Sequence, residues 1–406
     1  MSLRISTNAI FQASSGQMNT LQSQLAKTQT QLSTQRRILT AADDPIASAR
    51  ALEITQTQSM NTQFGTNRAN ARTSLSLEEQ SLSDATDLLE DVQTLTVQAA
   101  NGTLSDSERG MLATELEARM NDLLGVANTS DGTGAYLFAG YKSTTVPFQK
   151  TPSGATYQGD QGQRMLQVGS ARQMPVSDTG SAVFENIPTG NGSFQASPGS
   201  ANTGSGVIGS TAVTDRSQLN GHAYTLKFQT AGSPAVTTYT VTDNVTKTAV
   251  SSGNYVSGQQ IAFGGMSLSV EGAPANGDTV DVAPSQKQSL FTTLTNLIGT
   301  LRAPTGTAAE NAAMTNGINA GSANLAQALD NMLMVRASVG SRMKELDYLD
   351  SSGEDLNVQY QTTLSGLQDL DMAKAISLFT QQQQTLQAAQ MSFKTMSGLS
   401  LFNYIS

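Results

Sequence analysis

The sequence predicts an α+β multidomain chain, in which both ends form a long α-helical coiled coil or bundle and β-rich outer domains are inserted between them. Three observations predict this. The last stretch, Leu356–Ser406, contains no Pro and reads as one long helix; in it Met372, Ile376, Phe379, Gln383, Leu386, Gln390 and Phe393 follow at alternating steps of four and three. A 3.5-residue repeat keeps one apolar stripe facing a partner helix. The N-terminus supplies a matching seam of Met18, Leu21, Leu25, Thr28, Leu32, Gln35 and Leu39. The middle of the chain changes period, with Gly-punctuated alternating segments from Thr129 to Val282 that read as strands. The termini therefore pair, and the rest is an excursion out and back.

Taken in order, the first helix is predicted from about Thr7 to Leu39 and stops at Thr40-Ala41-Ala42-Asp43-Asp44-Pro45. Pro45 suits the first turn of a new helix, and Asp43 or Asp44 can cap its free N–H groups. That helix runs to about Ala100, with an apolar face begun by Ile46, Ala49 and Leu52 and continued by Leu82, Ala85, Leu89, Val92, Thr96 and Ala99. Ser105 and Glu108 form a capping box for a helix carrying Leu112, Leu116, Met120 and Leu123. Tyr136–Ala139 and Arg164–Val168 are expected strands, and Gly190–Ser210 reads as a mobile loop or linker. A second block, His222–Val282, has its best strands at Tyr224–Phe228, Thr238–Thr242 and Met266–Val270.

Helices resume at Ser285, where Leu290, Leu294, Leu297 and Leu301 share a face until Ala303-Pro304 interrupts it. From Thr307 to Leu349 a third long seam is expected, through Ile318, Ser322, Leu325, Leu329, Met332, Arg336, Val339, Met343 and Leu346, with a break or bend at Ser351–Gly353. The domain boundaries this implies are 1–44 for the N-terminal heptad helix and 45–134 for long helices. They continue with 135–185 for a β-rich hairpin domain, 186–284 for a variable outer β domain, 285–350 for returning helices and 351–406 for the C-terminal heptad helix.

Composition narrows the function classes. A net charge of −9 and a pI near 4.7 argue against nucleic-acid binding. Only 14% of the residues are charged, against about 25% in an average soluble domain, so much of the surface is uncharged and cheap to bury against neighbours. The chain has no Cys, which excludes disulfides, a thiol nucleophile and thiolate metal sites. No apolar run approaches a membrane span, and the first residues lack the apolar core of a cleavable secretory signal. His222 is the only histidine, so no two-histidine metal site or histidine relay can form. Asp43 and Asp44 resemble paired carboxylates but are better read as helix caps. No enzyme, cofactor or metal is expected.

Several segments carry a resemblance. Ser2–Asn8 resembles a flagellin-type start, and Leu39–Arg50, with Asp43-Asp44-Pro45, resembles the helix restart of the hook–filament junction branch. Filament flagellins usually lack that Pro. Tyr136–Tyr141 followed by Pro147-Phe148 resembles the first β element of the same branch. Arg336, Val339-Gly340, Asp369–Ala373 and Leu399–Phe402 resemble the flagellin C-terminal motif. The chain is thus similar to the flagellin superfamily, most closely its hook-associated proteins of type three, over roughly 1–150 and 285–406.

The resemblance implies a non-enzymatic adaptor in a ring of like subunits. Its neighbours would be another hook-associated protein on the hook side and flagellin on the filament side. It also implies uncleaved export to the outside of the cell and a cytoplasmic export chaperone. The expected interface residues are Met18, Leu21, Leu25, Leu32, Leu39, Ile376, Phe379, Leu386 and Phe393. The apolar C-terminal tip suggests Leu386, Phe393, Met396, Leu399 and Phe402 as the chaperone's anchors. The competing readings are a filament flagellin and a surface adhesive or carbohydrate-binding protein.

Overall fold

This computed structural model describes residues 7–398, and the side chains of 9–396. The Ser2–Asn8 start and the C-terminal tip, Leu399 and Phe402 included, lie outside those limits or at their edge. The described chain divides into two units, one from residues 1–66 and 349–406 and the other from residues 67–348. Six α-helices run in the order α1 (Thr7–Thr34), α2 (Pro45–Ala99), α3 (Asp106–Ala127), α4 (Leu290–Arg302), α5 (Ala308–Gln368) and α6 (Met372–Gly398). Fourteen strands lie between α3 and α4. The first five are β1 (Phe148–Thr151), β2 (Gly154–Tyr157), β3 (Met165–Gly169), β4 (Arg172–Pro175) and β5 (Ile187–Pro188). Then come β6 (Phe194–Pro198), β7 (Val207–Val213), β8 (Tyr224–Ala231), β9 (Val236–Asp243) and β10 (Ala249–Asn254). The last four are β11 (Gln260–Phe263), β12 (Met266–Glu271), β13 (Thr279–Pro284) and β14 (Lys287–Gln288).

The helices α2, α3, α5 and α6 each start where a side chain takes up one of the first free N–H groups. Asp44 Oδ1 accepts the Ala47 N–H at 3.0 Å before α2, and Asp371 does the same for Lys374 before α6. The Ser105–Glu108 box at α3 is closed in both directions, at 2.8 and 3.3 Å. Thr307 and Glu310 form a second box at α5, at 2.9 and 3.2 Å, which the sequence reading missed.

In the 67–348 unit, the α2 face of Leu82, Ala85, Leu89, Val92, Thr96 and Ala99 is buried throughout. So are Leu290, Leu294, Leu297 and Leu301 of α4. An aromatic cluster joins the first β segment to these helices. Phe148 stacks obliquely on Phe291 of α4 and meets Phe184 edge-on, with ring centroids 5.2 and 5.5 Å apart. Gly154 in β2 is required here: at φ +123 its backbone touches α4, and a Cβ would stand 2.7 Å from the Phe291 carbonyl carbon.

The 186–284 segment forms a five-stranded antiparallel sheet, ordered β10-β9-β8-β13-β6, and a three-stranded sheet, β11-β12-β7. Phe194, Leu226, Phe228, Val241, Leu268 and Val282 fill the space between them. Asparagines of α5 dock this domain by bonding its backbone. Asn316 Oδ1 accepts the Ile208 N–H at 2.7 Å and Asn324 Oδ1 accepts the Gly190 N–H at 2.7 Å. Asn319 Nδ2 donates to Ile208 O at 3.3 Å.

Three sequence expectations are corrected here. Tyr136–Ala139 is not a strand: Tyr136 makes a single bridge to Ser130 and the chain then turns, which buries Leu137 and Phe138. Gly190–Ser210 contains β6 and the start of β7 rather than a linker, because its Gly and Ser residues are spaced by apolar residues that enter the core. The helix does not break at Ser351–Gly353; Gly353 is buried and its carbonyl accepts Asn61 Nδ2 at 2.7 Å. The breaks come instead at Gln35 and at Asp369–Asp371.

Candidate assembly interface

The first and last described helices, α1 and α6, meet in the terminal unit, residues 1–66 and 349–406. α1 and α6 lie antiparallel. Thr28 Oγ1 donates to Gln382 Oε1 at 2.8 Å, and the Phe11 and Phe393 rings lie 4.9 Å apart at the other end. Both strands of this helical unit break at the same level. Gln35 takes φ 56, which ends α1; for a residue with a Cβ this left-handed conformation is uncommon. Opposite it, Leu370 N–H leaves the helical ladder and donates to Gln35 O at 3.0 Å, and Arg37 N–H donates to Gln368 O at 2.7 Å. Arg36 and Asp369 thus form an antiparallel bridge where a continuous helix was expected on each side. Leu39 therefore lies beyond α1, in the turn, and is half-buried there rather than on the seam.

Charges lock the elbow. Asp43 Oδ2 accepts the N–H groups of Leu39 and Thr40, at 3.0 and 2.9 Å, while its Oδ1 pairs with Lys27 at 2.6 Å. Asp44 caps α2 and pairs with Arg37 at 3.2 Å. Arg37 also donates to Leu367 O at 2.7 Å. The Lys27 ammonium, with the two N–H donors, holds the Asp43 carboxyl far below the usual range; the Ala47 N–H, then Arg37, lowers Asp44. Both acids are structural clasps, and among the described residues no group of three His, Asp or Glu converges to hold a metal.

The α1 seam through Met18, Leu21, Leu25, Thr28 and Leu32 faces inward, with Thr28 fully covered. The α6 seam runs through Ala375, Phe379, Gln382, Leu386, Ala389 and Phe393. Ile376, expected on the seam, is displaced by Ala375 and stands 53% exposed. The same substitution occurs on α2, where Ala47 and Ala51 are buried while Ile46 is 84% exposed. Small side chains let helices approach closely, and the larger neighbour one position away is turned out.

Among the described residues of this unit, the buried apolar side chains are Ala47, Ala51 and Ala375. Phe11, Ile46, Leu52, Val358, Ile376 and Met391 are each more than half exposed. Large apolar side chains left exposed in this way are a feature of interaction surfaces. Of the anchors proposed for a chaperone, Leu386 and Phe393 are half-buried against α1 and Met396 is exposed.

Residues 5–143 match the bacterial flagellin N-terminal helical region. Over 98% of the chain and 99% of the relative, the sequence is 29% identical to flagellar hook-associated protein 3 of Salmonella typhimurium. The crystal structure of Xanthomonas campestris FlgL superposes with a TM-score of 0.70 at 34% identity, over 77% of this chain and 99% of that one. The chain belongs to the FlgL family, the flagellar hook-associated proteins of type 3. A second FlgL structure, the flagellar junction protein of Legionella pneumophila, superposes at TM-score 0.72 with 32% identity, over 79% of this chain and all of that one. This FlgL-family chain is a structural component of the bacterial flagellum.

His222 lies outside the terminal unit, in the 67–348 unit. It precedes β8 and pairs with the buried Asp243 at 2.7 Å, holding that carboxyl at about 2. Asp243 in turn accepts the Val245 and Thr246 N–H groups of the β9–β10 turn, at 2.8 and 3.1 Å. The elbow roles of Lys27 and Arg37 escaped the sequence reading, and Gln35, expected on the seam, instead ends α1. Lys27 and Arg37 carried a usable signal: they are two of the four cations in 1–42, and the first acids of the chain follow directly at Asp43 and Asp44.

Proposed function

We propose that this protein is the adaptor subunit that joins the flagellar hook to the filament. It works as one of a ring of like subunits, with another hook-associated protein on the hook side and flagellin on the filament side. The observation that carries this reading is the terminal unit: among its described residues the fully buried apolar side chains are alanines, the large seam residues are only half-buried, and Phe11, Ile46, Leu52, Val358, Ile376 and Met391 stand exposed. Covering a Leu, Ile, Phe or Met side chain contributes roughly 1.5–3 kcal/mol. A surface with several of them, and little charge to desolvate, gains its stability from neighbouring subunits.

On this reading the subunit acts outside the cell and is exported without a cleaved signal. Before assembly, a cytoplasmic chaperone covers the C-terminal helix at Leu386, Phe393, Met396, Leu399 and Phe402. The mode is an amphipathic helix laid into a hydrophobic groove, read as anchors three and four apart.

The test is genetic. Cells lacking the gene are expected to make hooks and release flagellin into the medium, and the wild-type chain restores filaments. Normal filaments in the deletion strain would overturn the reading. The interface assignment is checked separately, by complementing with Ile376→Asp, which lies outside the chaperone's anchors and is expected to be made and exported but to leave filaments absent.

A further inference from the structure

Glu78 lies on α2 in the 67–348 unit, only 1% exposed. It sits where α2 and α5 meet the segment that follows β4. Its Oε1 accepts the Asp178 N–H at 2.8 Å, and its Oε2 is buried and accepts no hydrogen bond. Two charged groups face it: Asp178 from that segment and Arg342 from α5. The guanidinium is already committed. Its Nη2 binds Asp178 Oδ2, and its Nη1 and Nε donate to Pro175 O and Ser338 O at 3.2 and 3.4 Å. Asp178 Oδ1 takes Gln163 Nε2 at 2.9 Å. The preceding cation on α5, Arg336, is held by Glu79 at 3.0 and 2.8 Å, and Lys344 is exposed.

Two carboxylates thus face one cation, and that cation belongs to Asp178. An ionised Glu78 would be a buried charge beside a like charge, with one oxygen unsolvated, and such a charge is costly. Neutral, the same group still accepts the Asp178 N–H and can donate its own proton to the Asp178 carboxylate instead of repelling it.

We propose that Glu78 is a proton-operated latch: the folded subunit carries it as a neutral acid, and its ionisation loosens residues 175–180 from the two long helices. Burial first, and the Asp178 carboxylate second, push its pKa well above the carboxylate range. With the folded value raised above the unfolded one, the stabilisation is full below about pH 4.3. It is lost as pH rises towards the folded value. The loosened segment leads into the π-helical turn Ser181–Glu185, so Phe184 and its aromatic cluster feel the change.

The experiment uses the full-length protein with carboxyl-¹³C glutamate, titrated by NMR, together with hydrogen exchange at the Asp178 amide. One glutamate signal is expected to stay neutral and titrate above about pH 6, outside the ordinary carboxylate range. That signal should be missing from Glu78→Gln. After correction for intrinsic base catalysis, Asp178 exchange should accelerate with pH in the wild type and stay level in Glu78→Gln. If every glutamate titrates in the ordinary range, the latch does not exist. Identical corrected exchange profiles in the two proteins would overturn it equally. Should Glu78→Gln fail to fold, the wild-type titration decides alone.

Discussion

At the scale of single residues, Ile376 and Leu386 separate two roles that one hydrophobic stripe had merged. Leu386 is half-buried against α1, whereas Ile376 points away from it. Ile376→Asp is therefore expected to change the free subunit's unfolding free energy by no more than about 0.5 kcal/mol, as for surface sites. It should nonetheless abolish filament formation in complemented cells. Leu386→Asp should do both kinds of damage, because it also places a charge in the α1–α6 seam. Denaturant unfolding of the two variants, set beside their motility, checks the distinction. The elbow acids make a pH prediction. Asp43 and Asp44 have lowered folded-state pKa values, so their contribution is present above the unfolded value of about 3.9. It is lost as pH falls through the folded values. Amide exchange at Leu39, Thr40 and Ala47, corrected for the intrinsic rate, should accelerate below about pH 4, and Asp43→Asn should show the acid behaviour at Leu39 and Thr40 already at neutral pH.

At the scale of elements, the asparagines of α5 show how an outer β domain is carried on a helix without depending on its side chains. Asn316, Asn319 and Asn324 bond backbone groups at Gly190 and Ile208. These contacts read the path of the chain and not its sequence. Asn316→Ala leaves the buried Ile208 N–H without its acceptor, a loss expected to cost about 1–3 kcal/mol. The measurement is equilibrium unfolding, with exchange at Ile208 reporting the site directly. The helix starts were the most legible elements: Ser105 with Glu108, and Asp44 before Pro45, follow from local chemistry that needs no tertiary partner. The helix ends at Gln35 and Asp369 were not legible. Nothing in the local sequence forbids the helix there, and the break exists because each strand's backbone finds its partner on the other.

At the scale of the whole molecule, stability is unequally distributed. The 67–348 unit buries Leu, Phe, Val and Met side chains in its helical face, aromatic cluster and β sandwich. The terminal unit buries alanines. Opening free energy follows buried apolar contact, so hydrogen exchange on the isolated subunit should be fastest across 7–66 and 349–398. It should be slowest at 82–99 and 290–301. Equal protection in both sets would show that the termini are stabilised within one chain and do not wait for neighbours.

By itself the sequence determined the fold class, the period of each segment and the chemistry that is absent. Heptad spacing, capping residues and the lack of Cys are local or compositional facts. It also determined that α1 and α6 would pair, since both carry three-four seams with few charges. Only the tertiary structure decided where a seam shifts by one residue to a smaller side chain. On α5 Ile318, Leu325, Met332, Val339 and Leu346 of the expected seam are buried, whereas at Ser322 and Leu329 the smaller neighbours Gly321 and Ala328 are the buried ones. On α6 it suggested Ile376, and Ala375 is inside. A three-four step is satisfied equally by the positions one residue earlier, and hydrophobicity favours the larger side chain. Close approach of two backbones favours the smaller one, and that distance is set by the partner helix, not by the helix's own sequence.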